Sequence, residues 1–174
     1  MANEVIYTVG HSNIDIKKFI NILKQNNIEV LIDVRSVPFS RYASQFNKDN
    51  IKRELEESGI VYIFMGNVLG GKPRQIYDDE FHTADKIIDV VYEKIRGQQG
   101  YQKGISRLIA TAKTNKIAIM CSEENPNKCH RHLLITQSLL GKGVDVLHIR
   151  GKGAVEVAGK HIPQATLPGI KILD

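Results

Sequence analysis

Short β-branched segments alternate with amphipathic helical patterns along most of the chain, and this alternation most constrains the fold. Apolar residues recur at helical intervals between the segments, as in Ile16, Phe19, Ile20 and Leu23. Alternating strands and helices form a parallel sheet that is covered on both faces. We therefore predict one α/β domain over residues 1–174, a three-layer sandwich with a mainly parallel, five-stranded, Rossmann-like or flavodoxin-like sheet. The predicted strands are EVIYTVG, IEVLIDVR, IVYIFMG, KIAIMC and VDVLHIR.

Local signals mark where the helices begin and end. Ser12 and Asp15 have capping-box spacing at the start of the first helix, and Gly59 is expected to end the second. The segment CHRHLLITQSLLGKG predicts a helix that ends at Gly141, and the stretch from Gly151 onward predicts a small hairpin or a tail. A pair of helices is predicted after the polar connection NVLGGKPRQIYDDEFH, from Ile87, Val91 and Ile95 and then from Tyr101, Ile105, Leu108 and Ala112.

Charge and hydropathy restrict the cellular location and the kinds of binding partner that we expect for the protein. No apolar run approaches the roughly 20 residues that span a membrane, and MANEVIYTVG lacks the zones of a signal peptide. We therefore expect a cytoplasmic protein with reduced thiols and no membrane partner. The 24 Lys and Arg exceed the 19 Asp and Glu by five, which indicates either a well-solvated surface or an anionic partner. The oligomeric state does not follow from the sequence.

Polar residues stand directly after each predicted strand. In open α/β sheets, ligands bind outside the carboxyl ends of the strands, so this edge is the candidate site. His11 is either an orienting or a catalytic residue, and Asp33 with Arg35 forms either a structural ion pair or part of the site. The residues after the five strands are His11 and Ser12; Asp33 and Arg35; Asn67, Gly70 and Gly71; Cys121 and Glu123; and His148 and Arg150.

The loop CSEENPNKCHR, residues 121–131, contains the only two cysteines of the chain. A disulfide between Cys121 and Cys129 is not expected in a reducing compartment. Structural zinc sites normally have four ligands at familiar spacings, whereas this loop has no CxxC pair and places Cys129 directly beside His130. We therefore expect neither a metal nor a cofactor. Arg131 follows Cys121 by ten residues, so the phosphatase-type cradle is absent as well.

An alternative interpretation of the loop 121–131 is that it binds an anion. A helix start and the fork of Arg131 suit a phosphate, and Glu123 is suited to general acid–base chemistry. A cysteine near a helix start and an arginine is expected to ionise more easily. If the loop has only a structural role, Cys129 instead packs as a small buried residue and Glu123 ties the loop to backbone amides.

Several motifs together resemble a known family. VGHSN, LIDVRSVPFSR with QFN, LGG and CSEENPNKCHR look like the pattern of the domain of unknown function numbered four hundred and eighty-eight, from about Thr8 to about Ile149. The resemblance implies a compact prokaryotic α/β protein and no established reaction. It carries the motif positions of the family onto His11, Ser12, Asp33, Arg35, Gly70, Gly71, Cys121, Glu123, Cys129, His130 and Arg131.

These observations predict an enzyme, a hydrolase or group transferase, that acts on a phosphate-bearing small molecule or nucleic acid. Neither a GxGxxG nor a Walker sequence is present. Two alternatives stay open, a non-catalytic nucleotide or nucleic-acid binding module, and a thiol or metal site on Cys121, Cys129 and His130. The predicted catalytic residues are Glu123, His11, Asp33 and Cys121, and the predicted substrate-binding residues are Ser12, Arg35, Gly70, Gly71, Cys129, His130 and Arg131.

Overall fold

The computed structural model describes residues 4–72 and 86–161. One six-stranded sheet forms the centre, with β1 Val5–Gly10, β2 Val30–Asp33, β3 Val61–Phe64, β4 Ile117–Cys121, β5 Asp145–Ile149 and β6 Val155–Val157. The strand order is β3-β2-β4-β1-β5-β6. The first five strands are parallel and β6 pairs antiparallel with β5. The predicted mainly parallel α/β sheet is confirmed, with one more strand. β6 lies in the stretch for which a small hairpin or a tail is predicted, and it pairs with β5, whereas residues 162–174 lie outside the described part of the chain.

Helices cover both faces of the sheet. Phe19 and Ile51 pack with Met120 in one apolar cluster, whereas Tyr101 packs with Ile119 in a second cluster on the other face. This alternation follows from the period of two along a strand. The helices are α1 Ile16–Gln25, α2 Lys48–Glu57, α3 Gly66–Leu69, α4 Lys86–Arg96, α5 Gln99–Ala112, a π-helical segment Arg131–Thr136 and α6 Gln137–Leu140.

The central strands are apolar because both of their faces are covered. Every residue of β2 and of β4 is buried, which is the pattern expected of an interior parallel strand. The position of β4 between β1 and β2 differs from the usual doubly wound orders. It sets Cys121 beside Gly10 on β1, and Met120 beside Asp33 on β2. The loops after β1, β2 and β4 therefore meet at one edge.

Three local predictions need correction. The capping box is wrong, because the carboxylate of Asp15 is itself the cap and accepts from the backbone N–H groups of Lys17 and Lys18 at 2.9 and 3.2 Å. The connection after β3 begins with the helix α3, and its residues 73–85 lie outside the described part of the chain. The helix after Cys129 begins with a π-helical segment. Among the helices of residues 4–72 and 86–161, none is long and apolar enough to cross a membrane.

Candidate functional site at the carboxyl edge of the sheet

The turn after β4 lies directly against the end of β1. The backbone N–H groups of His11 and Ser12 donate to the carbonyls of Cys121 and Ser122 at 3.0 and 2.7 Å. A Cβ atom added at Gly10 would lie 1.7 Å from the carbonyl oxygen of Glu123. Glycine at position 10 therefore allows this approach, which holds the beginning of the cysteine loop over the sheet.

Four side chains of the loop converge into what we call the thiol cluster, which consists of Cys121, Glu123, Cys129 and His130. The thiol of Cys121 donates to Oε2 of Glu123 at 3.0 Å. The Nδ1 atom of His130 lies 3.5 Å from the sulfur of Cys121 and 3.9 Å from the sulfur of Cys129. The two sulfurs and a ring nitrogen of His130 all lie within 4.8 Å of one another. The cysteines are buried, whereas Glu123 is exposed.

The imidazole of His130 is held in one orientation. Its Nε2 atom lies 3.0 Å from the carbonyl oxygen of Val34, at the end of β2. Because a carbonyl only accepts, Nε2 carries a hydrogen, and Nδ1 faces the two sulfurs. A Cβ atom at Gly71 would lie 2.6 Å from Cβ of His130, so the glycine makes room for this side chain.

The two thiols differ in their tendency to ionise. Burial opposes ionisation of Cys129, but hydrogen bonds with Cys121 and His130 and the charge of Arg131 lower its pKa to about 5. The hydrogen bond with Cys129, together with burial, raises the pKa of Cys121. Burial opposes ionisation of Glu123, but a hydrogen bond from Cys121 lowers its pKa. The first proton lost by the thiol pair therefore comes from Cys129.

Arg131 lies behind the loop and is fully buried. Its guanidinium donates to the hydroxyl of Thr8 at 3.2 Å, to the carbonyl of Glu124 at 2.8 Å and to the carbonyl of Glu123. These contacts tie the loop to β1, so Arg131 positions the thiol cluster. The assignment of Arg131 to substrate binding stays a prediction.

A chain of buried polar groups extends from this arginine. The hydroxyl of Thr8 lies 2.7 Å from Nδ1 of His148, and Nε2 of His148 lies 3.0 Å from Nδ1 of His132. Burial, followed by the charges of His132, Arg131 and Arg150, lowers the pKa of His148 to about 3. The chain therefore keeps His148 neutral near pH 7.

A second polar group lies toward the face that α1 and α2 cover. Asp33 accepts from Nε and Nη2 of Arg35 at 2.9 and 2.7 Å and from the hydroxyl of Tyr62 at 2.7 Å. Nη1 of Arg35 lies 3.1 Å from Nε2 of His11, whose ring stacks on Phe46 with centroids 4.2 Å apart. Burial, followed by the charge of Arg35, lowers the pKa of His11 to about 4. The group is therefore an ion pair between Asp33 and Arg35 that the neutral side chains of Tyr62 and His11 contact.

A cavity of about 430 Å³ opens beside the thiol cluster. Arg35 and Gly71 line it as well, whereas His11 and Asp33 lie behind Arg35. Ser12 is exposed, and Gly70 packs against Ser36, where a Cβ atom would meet Oγ at 2.3 Å. Further residues of the wall are Ser36, Val37, Lys72, Ile88, Tyr92, Ser122 and Lys128.

Sequence reasoning missed several of these residues. Lys128 directly precedes Cys129 in the cysteine loop, and this proximity could have identified it. Tyr92 offered no such signal, because it lies on α4 among apolar residues that mark the core face. The link between Thr8 and Arg131 had no local signal, since 123 positions separate the two residues.

The comparisons with known proteins agree with the resemblance that the motifs show. The model of the family described as Domain of unknown function DUF488 matches residues 15–137, more than half of the 174 residues. No curated protein and no solved structure matches the chain. The matched segment includes the DVR, LGG and CHR motifs, and the GHS motif ends three positions before it begins. The chain therefore belongs to the DUF488 family.

Proposed function

We propose that the chain is an enzyme, a hydrolase or group transferase, that acts on a phosphate-bearing substrate of the nucleotide class. One observation carries this proposal, which is that the cavity beside the thiol cluster combines reactive, basic and apolar side chains. Its volume of about 430 Å³ lies in the range of small-molecule sites. A reducing compartment such as the cytoplasm would keep both thiols available.

The charges around the cavity favour an anion. Arg35 is paired with Asp33, so its charge is largely balanced. Lys72 and Lys128 are exposed at the wall, and Glu123 is the one carboxylate among the described lining residues. The two exposed lysines would attract a phosphate group, while Ile88 and Tyr92 offer apolar surface to the rest of a nucleotide.

Glu123 is the side chain best placed to move a proton. It reaches solvent, and its Oε2 atom lies 3.0 Å from the sulfur of Cys121. In hydrolysis, Glu123 would take a proton from water while the water oxygen attacks the phosphorus or an electrophilic carbon of the substrate. The proton would then pass to the leaving group as its bond breaks. Loss of such a general base usually lowers the rate by about two to four orders of magnitude.

A ligand screen tests the binding half of this proposal. We would record thermal shifts of the protein with nucleoside mono-, di- and triphosphates, with inorganic phosphate and with unphosphorylated nucleosides. We expect phosphorylated nucleosides to stabilise the protein, and the Lys72→Gln/Lys128→Gln double variant to bind the best of them about tenfold more weakly, a loss of about 1.4 kcal/mol. Lys113→Gln is the matched control, because this exposed lysine precedes β4 at the other edge of the sheet. Equal affinity of the double variant and the control would refute the binding assignment.

A second variant separates an enzyme from a binding module. Glu123→Gln keeps the size of the side chain but removes its ability to take up a proton near neutral pH. We expect it to keep nucleotide affinity within a few-fold and to lose turnover by about two to four orders of magnitude. Product formation in single-turnover reactions is the measurement. Unchanged turnover would remove Glu123 from the chemistry, and nucleotide binding without any turnover would support the non-catalytic module instead.

A further inference from the structure

We infer that Cys121, Cys129 and His130 bind a divalent metal ion of the zinc type through their two sulfurs and Nδ1, with a fourth position open to the cavity beside Glu123. The inference deepens the proposed function. It rests on that function for the role of the metal in catalysis, but metal binding itself is measured independently.

The spacing of the donor atoms fits such an ion. Zinc lies about 2.3 Å from a cysteine sulfur and about 2.0–2.1 Å from a histidine nitrogen, so tetrahedral angles separate the sulfur and the nitrogen by about 3.5 Å. The Nδ1 atom of His130 lies 3.5 Å from the sulfur of Cys121 and 3.9 Å from the sulfur of Cys129. The two nitrogen–sulfur edges therefore need a contraction of at most a few tenths of an ångström, and the two sulfurs lie within 4.8 Å of each other.

Cys129 and His130 are adjacent, which by sequence alone makes them unfavourable as joint ligands of one ion. Their backbone conformations remove this obstacle. Cys129 is extended, with φ −135° and ψ 142°, whereas His130 is helical, with φ −60° and ψ −22°. The change of direction between the two residues turns both side chains toward Cys121. Two consecutive residues can therefore serve as ligands of one ion.

The surroundings hold these ligands as a metal site requires. The hydrogen bond between Nε2 of His130 and the carbonyl of Val34 fixes the ring with Nδ1 toward the sulfurs, which is the usual support of a histidine ligand. The backbone N–H of Arg131 points at the sulfur of Cys129 at 3.5 Å. Cys121 ends the central strand β4, so it is held by the sheet.

The fourth position identifies the kind of site. Structural zinc sites are closed by four protein ligands, whereas catalytic sites have three, with water in the fourth position. Thiolate ligands favour zinc over magnesium or calcium. Glu123 is exposed at the cavity, with Oε2 3.0 Å from the sulfur of Cys121. When Cys121 gives up its proton to bind the metal, this carboxylate is free to hold a metal-bound water. A metal in this position would supply an activated water, which complements the proton transfer assigned to Glu123.

Metal binding by the whole chain tests the inference. Protein stripped with a chelator and kept in a phosphine reductant would be titrated with Co²⁺, and then with Zn²⁺ against a chromophoric chelator. We expect one equivalent to bind, with the thiolate charge-transfer and d–d absorption of tetrahedral cobalt, and Zn²⁺ to displace it. Cys121→Ser, Cys129→Ser and His130→Gln should each weaken zinc binding by more than about 100-fold. His161→Gln, a histidine outside the cavity wall, should bind as the parent does.

Further measurements keep the test decisive if a variant folds poorly. Zn²⁺ should raise the melting temperature of the parent and not that of the serine variants, whose circular dichroism reports folding. Glu123→Gln should retain one equivalent with affinity within about tenfold, whereas a greater loss would make Glu123 the fourth ligand and overturn the open position. Folded parent protein with two titratable thiols that binds neither metal would overturn the inference.

The outcomes for the metal and for the substrate are distinguishable. Metal binding without any nucleotide effect would leave this inference standing and reject the proposed substrate class. Nucleotide binding and turnover by protein that binds neither Co²⁺ nor Zn²⁺ would support the proposed substrate class and reject the metal site. A disulfide between Cys121 and Cys129 in freshly reduced protein would reject the metal site, because both thiolates would be consumed.

Discussion

The substitution Arg131→Lys tests whether this buried arginine supports the loop from behind. The guanidinium makes three hydrogen bonds, to the hydroxyl of Thr8 and to the carbonyls of Glu123 and Glu124, and its side chain is fully buried. A lysine ammonium keeps the charge but cannot span two consecutive carbonyls and a hydroxyl on β1. We expect about two of the three bonds to be lost.

The magnitude follows from the strength of such bonds. A hydrogen bond that involves a charged group contributes about 1.5–3 kcal/mol, so the loss is about 3–6 kcal/mol before the structure relaxes. In a domain of this size, 1 kcal/mol corresponds to about 2–4 °C in melting temperature. We therefore expect Arg131→Lys to melt about 6–24 °C below the parent. The loss in free energy is a large share of the usual stability of about 5–15 kcal/mol.

Thermal and urea unfolding followed by circular dichroism measure this effect. Arg107→Lys is the matched control, because Arg107 is exposed on α5, and it should melt within about 1 °C of the parent. If Arg131→Lys melts with the control while the stabilising nucleotide binds more weakly, Arg131 contacts the ligand, and the scaffold role assigned to it is wrong.

Three further predictions concern packing, hydrogen bonding and pH. Gly71→Ala places a Cβ atom 2.6 Å from Cβ of His130, so we expect a loss of about 1–3 kcal/mol in unfolding free energy and weaker Co²⁺ binding. Tyr62→Phe removes a donor from Oδ2 of Asp33, and urea unfolding should show a loss of about 1–3 kcal/mol. The lowered pKa of His148, about 3 against about 6.5 unfolded, means that the unfolded chain takes up a proton first as the pH falls. The contribution of His148 to the unfolding free energy is therefore complete above about pH 6.5 and is lost toward pH 3, at up to about 1.4 kcal/mol per pH unit. The difference in unfolding free energy between the parent and His148→Asn should accordingly narrow from pH 7 to pH 5.

Matched variants serve as controls for the glycine and tyrosine predictions. Gly97→Ala should leave stability unchanged or slightly higher, since the nearest atoms to its Cβ would lie at 3.5 and 3.8 Å. Tyr42→Phe should be neutral, because Tyr42 is 90% exposed. A harmless Gly71→Ala, equal losses in the two tyrosine variants, or a pH-independent gap for His148→Asn would each contradict the contact on which that prediction depends.

Local patterns were sufficient for the first five strands, for the helices other than α3 and for the membership of the family. The run IAIMC is apolar at every position, and a strand that is covered on both faces has that composition. The pair of helices marked by Val91 and by Ile105 forms α4 and α5 as predicted. These features were readable because each depends on residues within a few positions of one another.

The arrangement of the site depended on backbone directions that residue types alone do not specify. A strand points successive side chains to opposite faces, so Asp33 lies toward α1 and α2 while Cys121 lies toward the other helices. The sequence made Cys129 and His130 poor joint ligands, and only their different φ and ψ values bring both toward Cys121.

The sequence by itself determined that the strand exits carry the polar residues, and the tertiary structure decided what each residue contacts. The ring of His130 is fixed by a carbonyl 96 positions away, and the guanidinium of Arg131 by a hydroxyl 123 positions away. Both contacts exist because β4 lies between β1 and β2, which brings the ends of three distant strands together. Strand order is a property of the whole packed sheet, so no local pattern distinguishes an arginine that holds a loop from one that holds a ligand.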